Sequence, residues 1–258
     1  MTEELVRHHV ADGVLHIELN RPQVRNAFDL ATAASLVEAA ERGRAPDVRS
    51  VLLYANRADF SVGGDIGFFV GAENDVAAQV SGLAGTLHVA VLALAELDVP
   101  VVSAVQGWCA GAGIGLACGA DVVVASSGAR FRSAYTAIGF SPDLGLTWLL
   151  PKLIGPLRAA DLIFTNRAID AATAEQWGLV SRVVPDEELR EAARAIAVGF
   201  ASGPAGTHAV VRRLLRGDRA SLRTALAAEQ LAVAERAASE EGTEGIRAFA
   251  SRRPPQFT

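Results

Sequence analysis

Apolar positions in the first half of the chain follow two alternating rhythms. Residues 14–20 (VLHIELN) have strand composition and stop at Arg21-Pro22, because proline brings no N–H to a ladder. Residues 29–42 place apolar side chains at helical spacing, with Asp29 positioned as an N-cap. A short, fully apolar strand at 50–55 (SVLLYA), a long helical pattern at 73–97 and a third strand at 100–105 follow. Next come a glycine-rich loop at 107–113, a small-residue helix at 114–119 and a fourth strand at 121–125. Strands alternating with helices require crossover connections, which predicts an α/β fold with a largely parallel, layered sheet. Beyond about residue 144 helical patterns dominate, at 156–164, 171–177, 187–202, 204–216, 221–238 and 242–250, with only 180–184 extended. The chain thus divides into a core, residues 1–200, and a helical C-terminal region, residues 201–258, that packs on the core or reaches across to another subunit.

Composition narrows the function classes. Half of the 258 residues are apolar and the mean hydropathy is +0.26, enough to bury one sizeable core. With 29 acidic against 24 basic residues the net charge is −5, so there is no electrostatic footprint for nucleic acid. Cys109 and Cys118 have neither metal-ligand spacing nor the density of a disulfide scaffold, which suits a reducing compartment. The acidic N-terminus lacks a secretory pattern, and a cytoplasmic location is expected. Residues 99–120 carry no charge and are long enough to span a bilayer, yet Pro100, Gln106 and the glycines read as strand, loop and helix, so no membrane association is expected. No histidine set with metal spacing is present, and no metal is expected.

Two glycine loops carry the candidate chemistry. Gly107-Trp108-Cys109-Ala110-Gly111-Ala112-Gly113 joins a buried strand to a helix start, where unpaired backbone N–H groups can bind an oxygen that becomes negative. Its G-x-G-x-G spacing departs from the dinucleotide fingerprint, and the only lysine, Lys152, is too far away for a nucleotide P-loop. Gly107 to Gly111 also matches a nucleophile elbow with Cys109 as nucleophile, to which Asp143 or Asp170 and His208 would be the partners; a thiol-dependent α/β hydrolase is therefore one reading. Close helix packing is another reading of Gly111, Gly115 and Gly119. The second loop, Ser61-Val62-Gly63-Gly64-Asp65, follows its strand as the first follows residues 100–105. Parallel strands end at one sheet edge, so the loops can meet and aim two N–H donors at one carbonyl oxygen.

The motifs Arg21-Pro22 with Arg25-Asn26-Ala27, Phe60 to Ile66 (FSVGGDI), Pro100 to Gly107 (PVVSAVQG) and Ala110 to Gly113 (AGAG) together resemble the crotonase (enoyl-CoA hydratase/isomerase) superfamily, in family order over nearly the whole chain. The resemblance implies a crotonase-like, ββα-type layered core, an acyl-CoA substrate with coenzyme A as part of it and no separate cofactor, and a homotrimer or homohexamer. It implies that the Gly64 and Ala112 amides hold the thioester oxygen. Ala27, Val62, Gly63, Asp65 and Ile66 would line the adenine and pantetheine groove, and Phe249, Arg252 and Arg253 would bind the nucleotide part. The two glutamates that hold water in hydratases of this family fall on Gly115 and Tyr135, neither of which does acid-base work near neutral pH. Asp143 lies in Pro142-Asp143-Leu144-Gly145-Leu146-Thr147-Trp148, which is similar to a segment of acyl-CoA double-bond isomerases of the phenylacetate type. A single carboxylate can take a proton from one carbon and return it two carbons away. An isomerase acting through a thioester enolate is therefore expected, with a hydratase-type lyase as the alternative. The superfamily's dehalogenases offer a hydrolase reading, with Asp143 as nucleophile and His88 as base. As a structural alternative, Asp143 after Pro142 is a helix-start residue.

Overall fold

The computed structural model describes residues 4–70, 75–217 and 219–257. The chain opens with a hairpin of β1 (Val6–Ala11) and β2 (Val14–Leu19), antiparallel and in register from Val6 opposite Leu19 to Ala11 opposite Val14. Asp12 and Gly13 turn it with φ of 52° and 74°, the left-handed pair that suits a two-residue hairpin. Strand β1 (VRHHVA) escaped the sequence reading because most of its side chains are not buried and its pattern is polar.

Then come α1 (Leu30–Glu41), β3 (Ser50–Ala55), α2 (Ile66–Phe69), α3 (Val76–Glu96) and β4 (Val101–Val105). Asp29 caps α1 as expected, accepting from the Thr32 N–H at 2.8 Å. The 107–113 stretch is more ordered than a loop: it contains β5 (Trp108–Ala110), and α4 (Ala112–Cys118) starts two residues before the expected 114. Next are β6 (Val122–Ser126), β7 (Arg130–Arg132), α5 (Leu146–Ile154), α6 (Pro156–Thr165), β8 (Ile169–Asp170), α7 (Ala171–Trp177) and β9 (Arg182–Val184). Helix α5 was not anticipated, since Pro151 lies inside it and Gly145 precedes it. Four helices close the chain: α8 (Leu189–Ser202), α9 (Ala205–Arg216), α10 (Arg219–Ala238) and α11 (Glu240–Ala250). Residues 73 and 74 of the expected long helix lie outside the described residues.

The larger sheet runs β1-β2-β3-β4-β6-β9, and every pairing after the first is parallel. Its central strands are buried on both faces, which explains their unbroken apolar composition. A smaller sheet, β5-β7-β8, stands beside it. Helices α1 and α3 with the smaller sheet bury the main core, around Phe28, Phe60, Ile114 and Phe131, while α8 covers the other face over Leu52, Val102 and Val124. The C-terminal region folds back on its own core: α10 lies along α3, and α11 packs against α2 and residues 136–138.

Candidate active site

The two glycine loops meet. Ser61 N–H donates to the Trp108 carbonyl at 3.1 Å and Ala110 N–H to the Ser61 carbonyl at 2.8 Å, so β5 is stitched to the chain leaving β3. Gly63 has φ of 94°, and a Cβ there would lie 3.1 Å from the Ala110 oxygen and 3.3 Å from the Ala112 nitrogen. Only glycine permits that approach. Beside this contact the N–H groups of Gly64 and Ala112 are spent on no protein acceptor among the described residues, and both residues lie on the wall of one cavity of about 690 Å³.

The Arg21 to Ala27 motif supports this edge from behind. Arg21 bonds Asp65 at 2.7 Å, Asp29 at 3.0 Å and the Ala27 carbonyl at 3.0 Å. Asn26 donates to the carbonyls of Asn56 and Asp59, and its own carbonyl accepts from Ser61 Oγ, which in turn accepts from the Gly63 N–H at 3.2 Å. The loop is therefore held rigid before any ligand arrives, the condition under which fixed dipoles stabilise developing charge.

Asp143 lines the same cavity. It precedes two left-handed residues, Leu144 (φ 55°) and Gly145 (φ 77°), which fold the chain sharply into α5. The turn presses on α4: a Cβ at Gly115 would lie 2.5 Å from the Leu144 oxygen. The glycine at 115 thus makes room for the segment that delivers Asp143. Asp143 is 5% exposed, with Oδ1 2.6 Å from His88 Nε2 and, among the described residues, no protein hydrogen bond to Oδ2. His88, on α3, is buried behind Asp143 and is not part of the cavity wall.

The helix-start reading of Asp143 is overturned by Glu229, which the sequence reading passed over. From α10, Glu229 accepts from the Gly145 N–H at 2.6 Å and from both the N–H (2.8 Å) and hydroxyl of Thr147. It supplies the cap that Asp143 does not. Burial pushes Glu229 above its ordinary value, against the pull of the Thr147 and Gly145 hydrogen bonds. Its only signal in the sequence is an acidic residue within the mixed pattern of 221–238.

Ala27, Val62, Asp65, Ile66, Phe249 and Arg253 also line the cavity. The Asp65 carboxylate turns away from it, toward Arg21 and the Gly67 N–H. Arg253 pairs with Glu244, whose carboxyl it holds down at about 2, while Arg252 is exposed and off the wall. The thiol-hydrolase reading fails on geometry. Cys109 is fully buried, burial pushes its thiol far up, and it bonds no histidine or carboxylate among the described residues. His208 instead packs edge-on to Phe200 at 5.7 Å, and Asp170 caps α7 through the Thr173 N–H.

A layered fold with two uncommitted main-chain donors and a buried carboxylate on the wall of one largely apolar cavity is the frame of an acyl-thioester enzyme. The family description enoyl-CoA hydratase/isomerase matches residues 9–258, and the chain belongs to that family. It is 34% identical to the 1,2-epoxyphenylacetyl-CoA isomerase of Escherichia coli, over 99% of this chain and 98% of that protein. It is also 34% identical to a "probable enoyl-CoA hydratase" of Rhodobacter capsulatus, over 100% of this chain and 99% of that protein. The solved enoyl-CoA hydratase/isomerase of Pseudoalteromonas atlantica superposes with a TM-score of 0.89 at 31% identity, covering 98% of this chain and all of that one. The crotonase fold expected from the motifs is thus the fold observed.

Proposed function

We propose that this member of the family is an enoyl-CoA double-bond isomerase with Asp143 as its proton shuttle. One observation carries the reading: among the described residues, Asp143 is the carboxylate on the cavity wall with an oxygen free of protein partners, the other wall carboxylate, Asp65, being tied to Arg21. In the proposed reaction the thioester oxygen accepts from the Gly64 and Ala112 N–H groups. Asp143 Oδ2 removes a proton from the carbon beside the thioester carbonyl, and the electron pair moves onto the held oxygen as an enolate. Collapse of the enolate shifts the double bond, and Asp143 returns the proton two carbons further along. His88 donates to Oδ1 and so keeps Oδ2 turned to the substrate. Its position behind Asp143 suits this role better than activation of water, which weighs against the hydrolase reading.

Ala27, Val62, Gly63, Asp65, Ile66, Phe249, Arg252 and Arg253 are assigned to the coenzyme A groove, with Arg252 supported by sequence alone. A homotrimer or homohexamer is part of the proposal; Leu157, Phe164, Leu214 and Leu215, 77–85% exposed, are apolar side chains that burial between subunits would take out of water. Sedimentation velocity tests it. A cytoplasmic location is supported by two free, buried thiols. The reaction is tested by incubating a β,γ-unsaturated acyl-CoA in deuterated water. The expected product is the conjugated isomer without the mass gain of added water, labelled with deuterium only as far as the Asp143 carboxyl exchanges with solvent between the two transfers, and Asp143→Asn abolishes it. A hydrated main product, or full turnover by Asp143→Asn, overturns the reading.

A further inference from the structure

Tyr135 stands on the cavity wall at a position that the acid-base scheme leaves unused. Its ring edge lies beside Gly111, where a Cβ would be 3.9 Å from Cε2, next to the Ala112 amide. The hydroxyl oxygen is buried, and no group among the described residues accepts its proton. A buried hydroxyl whose proton has no acceptor is a standing loss to stability, so its presence points to a contact made with a ligand. The Asp143 main-chain N–H faces this oxygen; being a donor, it leaves the hydroxyl proton uncommitted. Burial, with the charges of Asp143 and Glu229, pushes the phenol well above its ordinary value, so the group stays a neutral donor. The cavity wall carries the hydrocarbon side chains of Phe69, Leu83, Leu87, Phe140 and Val233, none of which has an acceptor, and the wall carboxylate whose charge reaches the phenol is Asp143.

We propose that Tyr135 donates a hydrogen bond to an oxygen on the acyl group, which makes oxygenated acyl thioesters the preferred substrate class over plain hydrocarbon ones. The oxygen is a hydroxyl, carbonyl or ether oxygen within the first few carbons, because Tyr135 sits between the Ala112 amide and Asp143. That placement of the acyl group rests on the proposed function. A site built around a hydrogen bond to its substrate discriminates strongly against the analogue that lacks the partner.

The test uses thioesters that do not react. Hexanoyl-CoA is compared by calorimetry with a series in which one methylene near the thioester is replaced by a carbonyl, on the wild type and on Tyr135→Phe, which keeps the ring. The wild type is expected to bind at least one oxygenated member about tenfold tighter than hexanoyl-CoA. Tyr135→Phe erases that preference, binds hexanoyl-CoA within about twofold of wild type, and melts no lower. Absence of any preference in the wild type overturns the proposal without needing the variant. Equal weakening of both ligands by Tyr135→Phe also overturns it, since the hydroxyl then serves Asp143 or a water. These measurements need no turnover, so a failed isomerisation assay sinks the proposed reaction and leaves this result readable.

Discussion

Two carboxylates equally buried, each 5% exposed, flank the turn before α5, and they have opposite fates. Glu229 has both oxygens filled by the donors of Gly145 and Thr147, and is an anchor. Asp143 has one oxygen engaged by His88 and the other left for the cavity. Burial alone therefore does not decide whether a carboxylate has an oxygen to spare for the cavity. What separates them is whether the protein's own donors exhaust the carboxylate, and Asp143 is left over because Glu229 has taken the capping duty.

The sharpest way to break this contrast is to neutralise each acid in turn. Asp143→Asn should lower kcat by about 10²–10⁴ while leaving the melting temperature nearly unchanged. Glu229→Gln should do the reverse, keeping most of the turnover and losing about 1–2 kcal/mol of stability, read by urea unfolding. If both variants lose activity and stability together, the two roles are not separable. Gly115→Glu comes next. The new side chain meets the Leu144 oxygen and should displace the Asp143 turn, at about 1–3 kcal/mol, without creating a hydratase. A variant that gains hydration would show that the turn yields easily.

A third, smaller effect concerns pH. Glu229 is raised above its ordinary value of 4.5 by burial, so the native protein holds that proton more tightly than the unfolded chain. Stability from this group therefore rises as pH falls through the window just above 4.5, and the cost of the buried charge is carried above the window. Glu229→Gln should flatten that slope in a melting-temperature profile, and parallel profiles would count against the buried charge. The smallest effects belong to the C-terminal arginines. Arg253→Ala should weaken coenzyme A binding by a few-fold and Arg252→Ala hardly at all, because only Arg253 reaches the wall. Equal losses would mean that the tail adjusts when the nucleotide binds.

The chain itself displays one side of this site more openly than the other. The strands at 50–55 and 101–105 are continuous apolar runs because both faces are covered, and the glycine pairs that follow them mark where two backbones must nearly touch. Those are local signals, and they disclosed the meeting of the loops, whereas the Gly64 and Ala112 amides were named only through the resemblance to the crotonase superfamily. Asp143 was visible through its segment but not its freedom, which depends on Glu229, a partner 84 residues from Gly145. Tyr135 looked like a lost glutamate, since nothing local says that its hydroxyl would be enclosed without an acceptor. Helix α5 was hidden by Pro151, whose effect on a helix is overridden here by packing of Leu146, Leu150 and Ile154.

The distance between Gly145 and Glu229 also has a bearing on how the protein comes into being. As the polypeptide leaves the ribosome, both glycine loops emerge long before α10, so the sheet edge can take shape while the turn before α5 still lacks its clasp. A truncated or unfinished chain would thus bring its two glycine loops together yet leave the turn at Gly145 unfastened, and the clasp arrives only once α10 has been made.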